Sequence, residues 1–217
     1  MAGPVPADRS LALGGDDLPL EMPAYADPPE PLPVFTKLQA SALRLFAAKG
    51  YDGAHVSDIA RGAGIRKSSV YAHCQSKEDL FMGLLRRVMG RELRVMCGML
   101  VEGGLLDGLN RYFVSLKDRL DEDPPCYRFL LRSVYTPPLD LSEPVSALGM
   151  EFFPDLIELF KRALADHGAV PESLDLLAEA TLSVMDSVHV ASLYCPQFFG
   201  KRLDAVWAMY EKLVSSP

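Results

Sequence analysis

The chain has 217 residues, 49% of them hydrophobic and 24% charged, enough for one large domain or two small ones around a substantial core. No run approaches the roughly 18 consecutive apolar residues of a membrane span, and Met1 to Ser10 lacks a basic stretch followed by an apolar one, so a cytoplasmic protein with no membrane partner is expected. The formal charge of −7 argues against nucleic acid only until it is divided: residues 1–33 carry −5, residues 34–90 carry +5 and residues 91–217 carry −7.

Residues 1–33 hold eight of the 17 prolines and one aromatic, Tyr25, a composition that predicts a disordered, acidic, proline-rich arm. From Thr36 the pattern turns helical. Leu38, Ala42, Leu45 and Phe46 share one face, with Gly50 as the stop. Val56, Ile59, Ala60 and Ala63 make a second, short helix ended by Gly64. A third segment, Arg66 to His73, follows, and Ser76 with Asp79 forms a variant capping box that starts a long helix reaching about Met99. Further helices are predicted over 105–120, 127–135, 143–167 (bent near Pro154), 171–194 and 197–214. No stretch alternates with period two for long enough to make a strand, so the fold class is all-α. The predicted organisation is an arm over 1–33, a helical head over 34–81 and a longer helical domain over 82–217.

Two short helices joined by a tight glycine turn, the second rich in bases and hydroxyls, describe a helix-turn-helix, with Arg66 to His73 entering the major groove. Arg66 and Lys67 bring positive charge, Ser68 and Ser69 allow close approach, Tyr71 and His73 can donate to phosphate oxygens, and Lys77 opens the next helix, where free N–H groups also favour phosphate. Each has a plainer structural alternative: Tyr71 could pack the third helix, His73 could be a surface histidine, and the serines could simply begin a helix.

The run Leu45-Phe46, Gly50-Tyr51, Val56-Ser57-Asp58-Ile59-Ala60, Ala63-Gly64-Ile65, Val70-Tyr71, His73 and Ser76 to Phe81 resembles the N-terminal domain of TetR-family transcriptional regulators. The resemblance covers roughly 45 residues in unbroken order. It implies an all-helical homodimer whose three-helix head binds a palindromic operator, while a variable C-terminal domain binds a small effector. Departures from the family pattern fall at Ala54, His55, Arg66, Ser68 and Cys74. A hydroxyl cap ahead of the second helix is thereby lost or replaced by the His55 imidazole, and Arg66 becomes a candidate base or phosphate contact.

In the C-terminal part, Phe113, Phe129, Tyr135, Phe152, Phe153, Met185 and His189 are candidates for an effector pocket, though such residues are more often plain core. Leu174, Leu177, Thr181, Leu182, Met185, Leu203, Val206, Trp207, Tyr210 and Leu213 recur at helical spacing on the last two helices and are candidates for a dimer interface. Catalytic and metal candidates are lacking. Asp186 and His189 have i, i+3 ligand spacing, but a di-iron bundle needs a second such motif and more carboxylates; the four cysteines show no C-x-x-C spacing; no cofactor is implied. The expectation is a homodimeric regulator, a repressor released from double-stranded DNA by a small molecule. The competing reading is a helical ligand-binding or scaffolding dimer whose head has lost operator specificity.

Overall fold

A computed structural model describes residues 36–122 and 124–215, all of whose regular elements are helical. The predicted arm over 1–33 lies outside the described residues. Helix α1 (Lys37–Gly53) begins with a capping box in which Thr36 Oγ1 accepts from the Gln39 amide at 3.2 Å while the Thr36 amide donates to the Gln39 side chain at 3.0 Å. Gly50, at φ 72°, breaks the helix where the sequence pattern puts its stop, and one further turn carries it to Gly53.

Helix α2 (Val56–Ala63) ends at Gly64 in the left-handed region, and α3 covers only Lys67–Val70. The third helix predicted over 66–73 is thus too long. It stops because Tyr71 has ψ near 0° and the next amides close tight i→i−3 bonds, Ala72 to Ser69 and His73 to Val70, so residues 71–73 form a turn. Helices α1 and α2 meet closely at Gly62, where a Cβ would lie 2.3 Å from Ser41 Oγ. That buried hydroxyl donates to the Ile59 carbonyl at 2.9 Å, so the small residue and the hydrogen bond fix one crossing.

Helix α4 (Lys77–Glu122) starts at the predicted cap: Ser76 Oγ accepts from the Asp79 amide at 2.9 Å, and the Asp79 carboxylate caps the Gln75 amide at 2.8 Å. It passes the expected end at Met99 and turns sharply at Gly104, φ 69°. The predicted head–body boundary at 81/82 therefore falls inside a continuous helix. Helix α5 (Pro124–Tyr135) packs on both α4 and α1, and Phe46, Tyr51, Phe81 and Phe129 gather their rings there, with Phe46–Phe81 and Phe81–Phe129 edge to face at 5.1 Å.

Helices α6 (Ser142–Asp166, with Pro154 inside), α7 (Leu174–Tyr194) and α8 (Phe199–Val214) complete the body. By length and composition alone Pro171–Tyr194 could cross a membrane, at a mean hydropathy of 1.2, but its apolar residues Leu177, Val184, Met185 and Val188 are buried in the protein core.

Candidate nucleic-acid interface and ligand cavity

Ile59, Ala60, Ala63 and Val70 bury the inner sides of α2 and α3 and turn the segment 66–73 outward. Arg66, Lys67, Ser68, Tyr71 and His73 are exposed and Ser69 half-buried; Tyr71 is an aromatic ring 51% open to solvent. Arg66 and Lys67 have no carboxylate partner among the described residues, whereas Arg61 is paired with Asp58 and Lys49 also reaches Asp58, at 3.8 Å. His55 and Arg66 occupy the N-cap positions of α2 and α3, and neither side chain caps its helix. The departures noted in the sequence thus leave the first amides of both helices without a side-chain acceptor and free for an external one. Lys77 is placed differently from the expectation of an open phosphate ligand. Its ammonium donates to the Tyr51 carbonyl at 3.0 Å and lies 4.0 Å from the centre of the Tyr51 ring, which fixes its position and leaves part of its donor capacity open.

A cavity of about 100 Å³ lies in the body between both halves of α4 and helices α5, α6 and α7. Of the predicted pocket residues, Tyr135, Phe152, Phe153, Met185 and His189 line it. Phe129 and Phe113 do not: Phe129 stacks with Phe46 and meets Phe81 edge to face at the head–body joint, and Phe113 packs against Tyr112 and Trp207. Most of the wall is apolar, from Met89, Leu93, Met96, Leu130, Leu131, Val134 and Leu156.

One end is polar. The Tyr135 hydroxyl donates to Asp186 Oδ1 at 2.6 Å and lies 3.2 Å from His189 Nδ1, while His189 Nε2 lies 3.3 Å from the Tyr112 hydroxyl. Burial, with the Arg119 charge, lowers the His189 pKa to about 3, so the imidazole is neutral. Burial raises both tyrosines, helped at Tyr112 by Glu92 and at Tyr135 by the bond to Asp186, so both keep their protons. These states orient the network. Since Tyr135 gives its proton to Asp186, its oxygen accepts from His189 Nδ1–H, while the Tyr112 hydroxyl beside Nε2 is also hydrogen-bonded to Glu92 and Arg119. Behind this end Arg119 pairs with Glu92 and lies against the Tyr112 and Tyr127 rings. Glu92, Tyr112 and Asp186 are pocket residues that the sequence pattern does not single out; the i, i+3 spacing of Asp186 and His189 points to Asp186 only as a metal-ligand candidate.

On the last two helices, Leu177, Thr181, Leu203 and Tyr210 are buried inside the protomer, and Thr181 Oγ1 and the Tyr210 hydroxyl share a hydrogen bond at 2.7 Å. These four predicted interface residues therefore hold α7 to α8 and are unavailable to a partner. Met185 is spent on the cavity wall. Leu174, Leu182, Val206 and Trp207 are half-buried. Helical spacing alone does not tell an internal helix pair from an external one. The apolar residues left exposed are Leu176, Val190 and Tyr194 on α7, Phe198 just before α8, and Met209 and Leu213 on α8.

Residues 38–83 match the profile of the bacterial regulatory proteins, tetR family. The head is of the TetR type. Its head is 40% identical over 45 residues to the biofilm operon icaADBC HTH-type negative transcriptional regulator IcaR of Staphylococcus epidermidis and 42% identical over the same length to that of Staphylococcus aureus. The match covers 21% of this chain and about a quarter (24%) of each of those relatives. TetR-type structures extend the likeness to the body as a fold. The regulator FadR from Bacillus subtilis, solved with stearoyl-CoA, superposes with a TM-score of 0.64 over 82% of this chain and 97% of that one, at 18% identity. The TetR family regulator PfmR from Thermus thermophilus gives 0.55 over 82% and 97%, at 19% identity.

Proposed function

We propose that the chain is a cytoplasmic transcriptional repressor of the TetR family that binds a palindromic operator as a homodimer and is released by a small molecule held in the body cavity. The observation that carries the reading is the path of α4. The helix begins at Lys77, four residues beyond the exposed turn 66–73, and Met89, Glu92, Leu93 and Met96 on the same helix line the cavity. A ligand that favours one position of α4 therefore favours one position of the head, and a coupling of about 1 to 3 kcal/mol is typical of such linkage. The large apolar residues exposed on α7 and α8 support a two-fold pairing, which would set two recognition turns roughly 34 Å or more apart. The negative regulators matched by the head support repression over activation.

Selection of duplexes from a random pool with the full chain tests this. An inverted repeat should emerge, with binding about 10³-fold or more above random duplex and a log–log salt slope of roughly −0.9 per phosphate neutralised. Equal, weak binding to every duplex would instead favour a ligand-binding or scaffolding dimer without operator specificity.

A further inference from the structure

We infer that the cavity takes a compact apolar amine, bound as its cation against Asp186. This deepens the reading of the cavity as the effector site and rests on it. Asp186 is the first ground. Among the described residues its carboxylate has one hydrogen-bond partner, the neutral Tyr135 hydroxyl, and no lysine or arginine beside it. A partly buried carboxylate with one neutral donor has lost water without regaining a counter-charge, and an ammonium would supply both charge and donors.

The direction of the hydrogen bonds is the second ground. The Tyr135 proton goes to Asp186 and the neutral Tyr112 hydroxyl is bonded to the Glu92 carboxylate as well as to His189, so the polar end of the cavity has its tyrosine donors used and offers acceptors. Arg119, the nearby cation, is committed to Glu92 and is not part of the cavity wall. An anionic ligand such as a carboxylate or an acyl-CoA would meet Asp186 and Glu92 with no free cation to compensate.

Size and wall are the third. About 100 Å³ bounded by Phe152, Phe153, Leu156 and Met185 suits a single ring or a short branched chain; an apolar cavity of ~150 Å³ is known to hold benzene. The Phe and Tyr ring faces also favour a cation once it is out of water.

Calorimetry on the full chain with benzylamine, benzyl alcohol and benzoate, which share one ring and differ in charge and donors, tests the inference. Benzylamine should bind at least about tenfold more tightly than benzyl alcohol, with no binding of benzoate, and Asp186→Asn should weaken benzylamine at least about tenfold while sparing benzyl alcohol. Benzoate or benzyl alcohol binding within about tenfold of benzylamine, or an Asp186→Asn protein that holds benzylamine as tightly as the parent, overturns it. Should that variant fail to fold, the ranking of the three probes on the parent protein decides alone. Binding of selected duplex by the same samples separates the two readings. Specific DNA binding without amine preference removes the amine class and leaves the regulator standing, whereas amine preference without specific DNA binding does the reverse.

Discussion

The head and the body of this molecule are built from the same kind of helix yet keep their chemistry in opposite places. In the head, small residues and one buried hydroxyl pull α1 and α2 together, and the charged and aromatic groups Arg66, Lys67 and Tyr71 are turned out to solvent. In the body the polar groups Tyr112, His189, Tyr135 and Asp186 are drawn inward around a cavity, and large apolar residues such as Leu176, Val190, Met209 and Leu213 are left exposed among the polar ones of α7 and α8. A surface that must meet a long polyanion has to be exposed and cationic, whereas a site that must discriminate small molecules gains from exclusion of water. The two are joined by one helix, α4, and by the ring cluster Phe46–Phe81–Phe129.

The joint is where the contrast can be broken most severely. Phe129→Ala removes a buried ring that touches both Phe46 and Phe81, and a loss of about 3 to 5 kcal/mol is expected in urea unfolding, with head and body melting apart if the cluster couples them. Gly62→Ala acts on the head alone. Its Cβ would collide with Ser41 Oγ, so about 1 to 3 kcal/mol should be lost, and Ser41→Ala in the same chain should return part of it.

His189 sharpens the body side. Its pKa is about 3 when folded and near 6.5 when unfolded, so the unfolded chain binds more protons between those values. Stability contributed by the neutral imidazole is complete above about pH 6.5 and falls as pH drops through that window, by at most ~1.4 kcal/mol per pH unit from this one group. His189→Gln should flatten the acid limb of the urea midpoint against pH. Smallest in stability is Arg66→Ala: an exposed cation without an internal partner should move unfolding by less than about 0.5 kcal/mol, while reducing the salt slope of DNA binding by roughly 0.9.

The head was legible in the sequence because its signals are local. Gly50 and Gly64 punctuate the helices where φ is positive, Ser76 and Asp79 cap where they stand three apart, and the order of apolar residues is continuous. The length of the third helix was not legible, since its end depends on two tight bonds rather than on a breaker residue. In the body, five of seven expected pocket residues reach the cavity because large aromatic and sulfur side chains gather in helical interiors. Glu92 and Tyr112 escaped notice because they come from the two halves of α4, brought face to face only by the turn at Gly104. Thr181 and Tyr210 misled as interface residues because a hydrogen-bonded pair inside one protomer has the same spacing as a pair across two.

The central claim is that occupancy of the body cavity changes the grip of the head through α4. Met96→Trp fills that cavity from α4 itself, without touching residues 66–73 and without any ligand. Fluorescence anisotropy on a duplex selected by the parent chain should show affinity lowered about 5- to 150-fold at unchanged helicity. A folded Met96→Trp protein that binds the duplex as tightly as its parent would contradict the account.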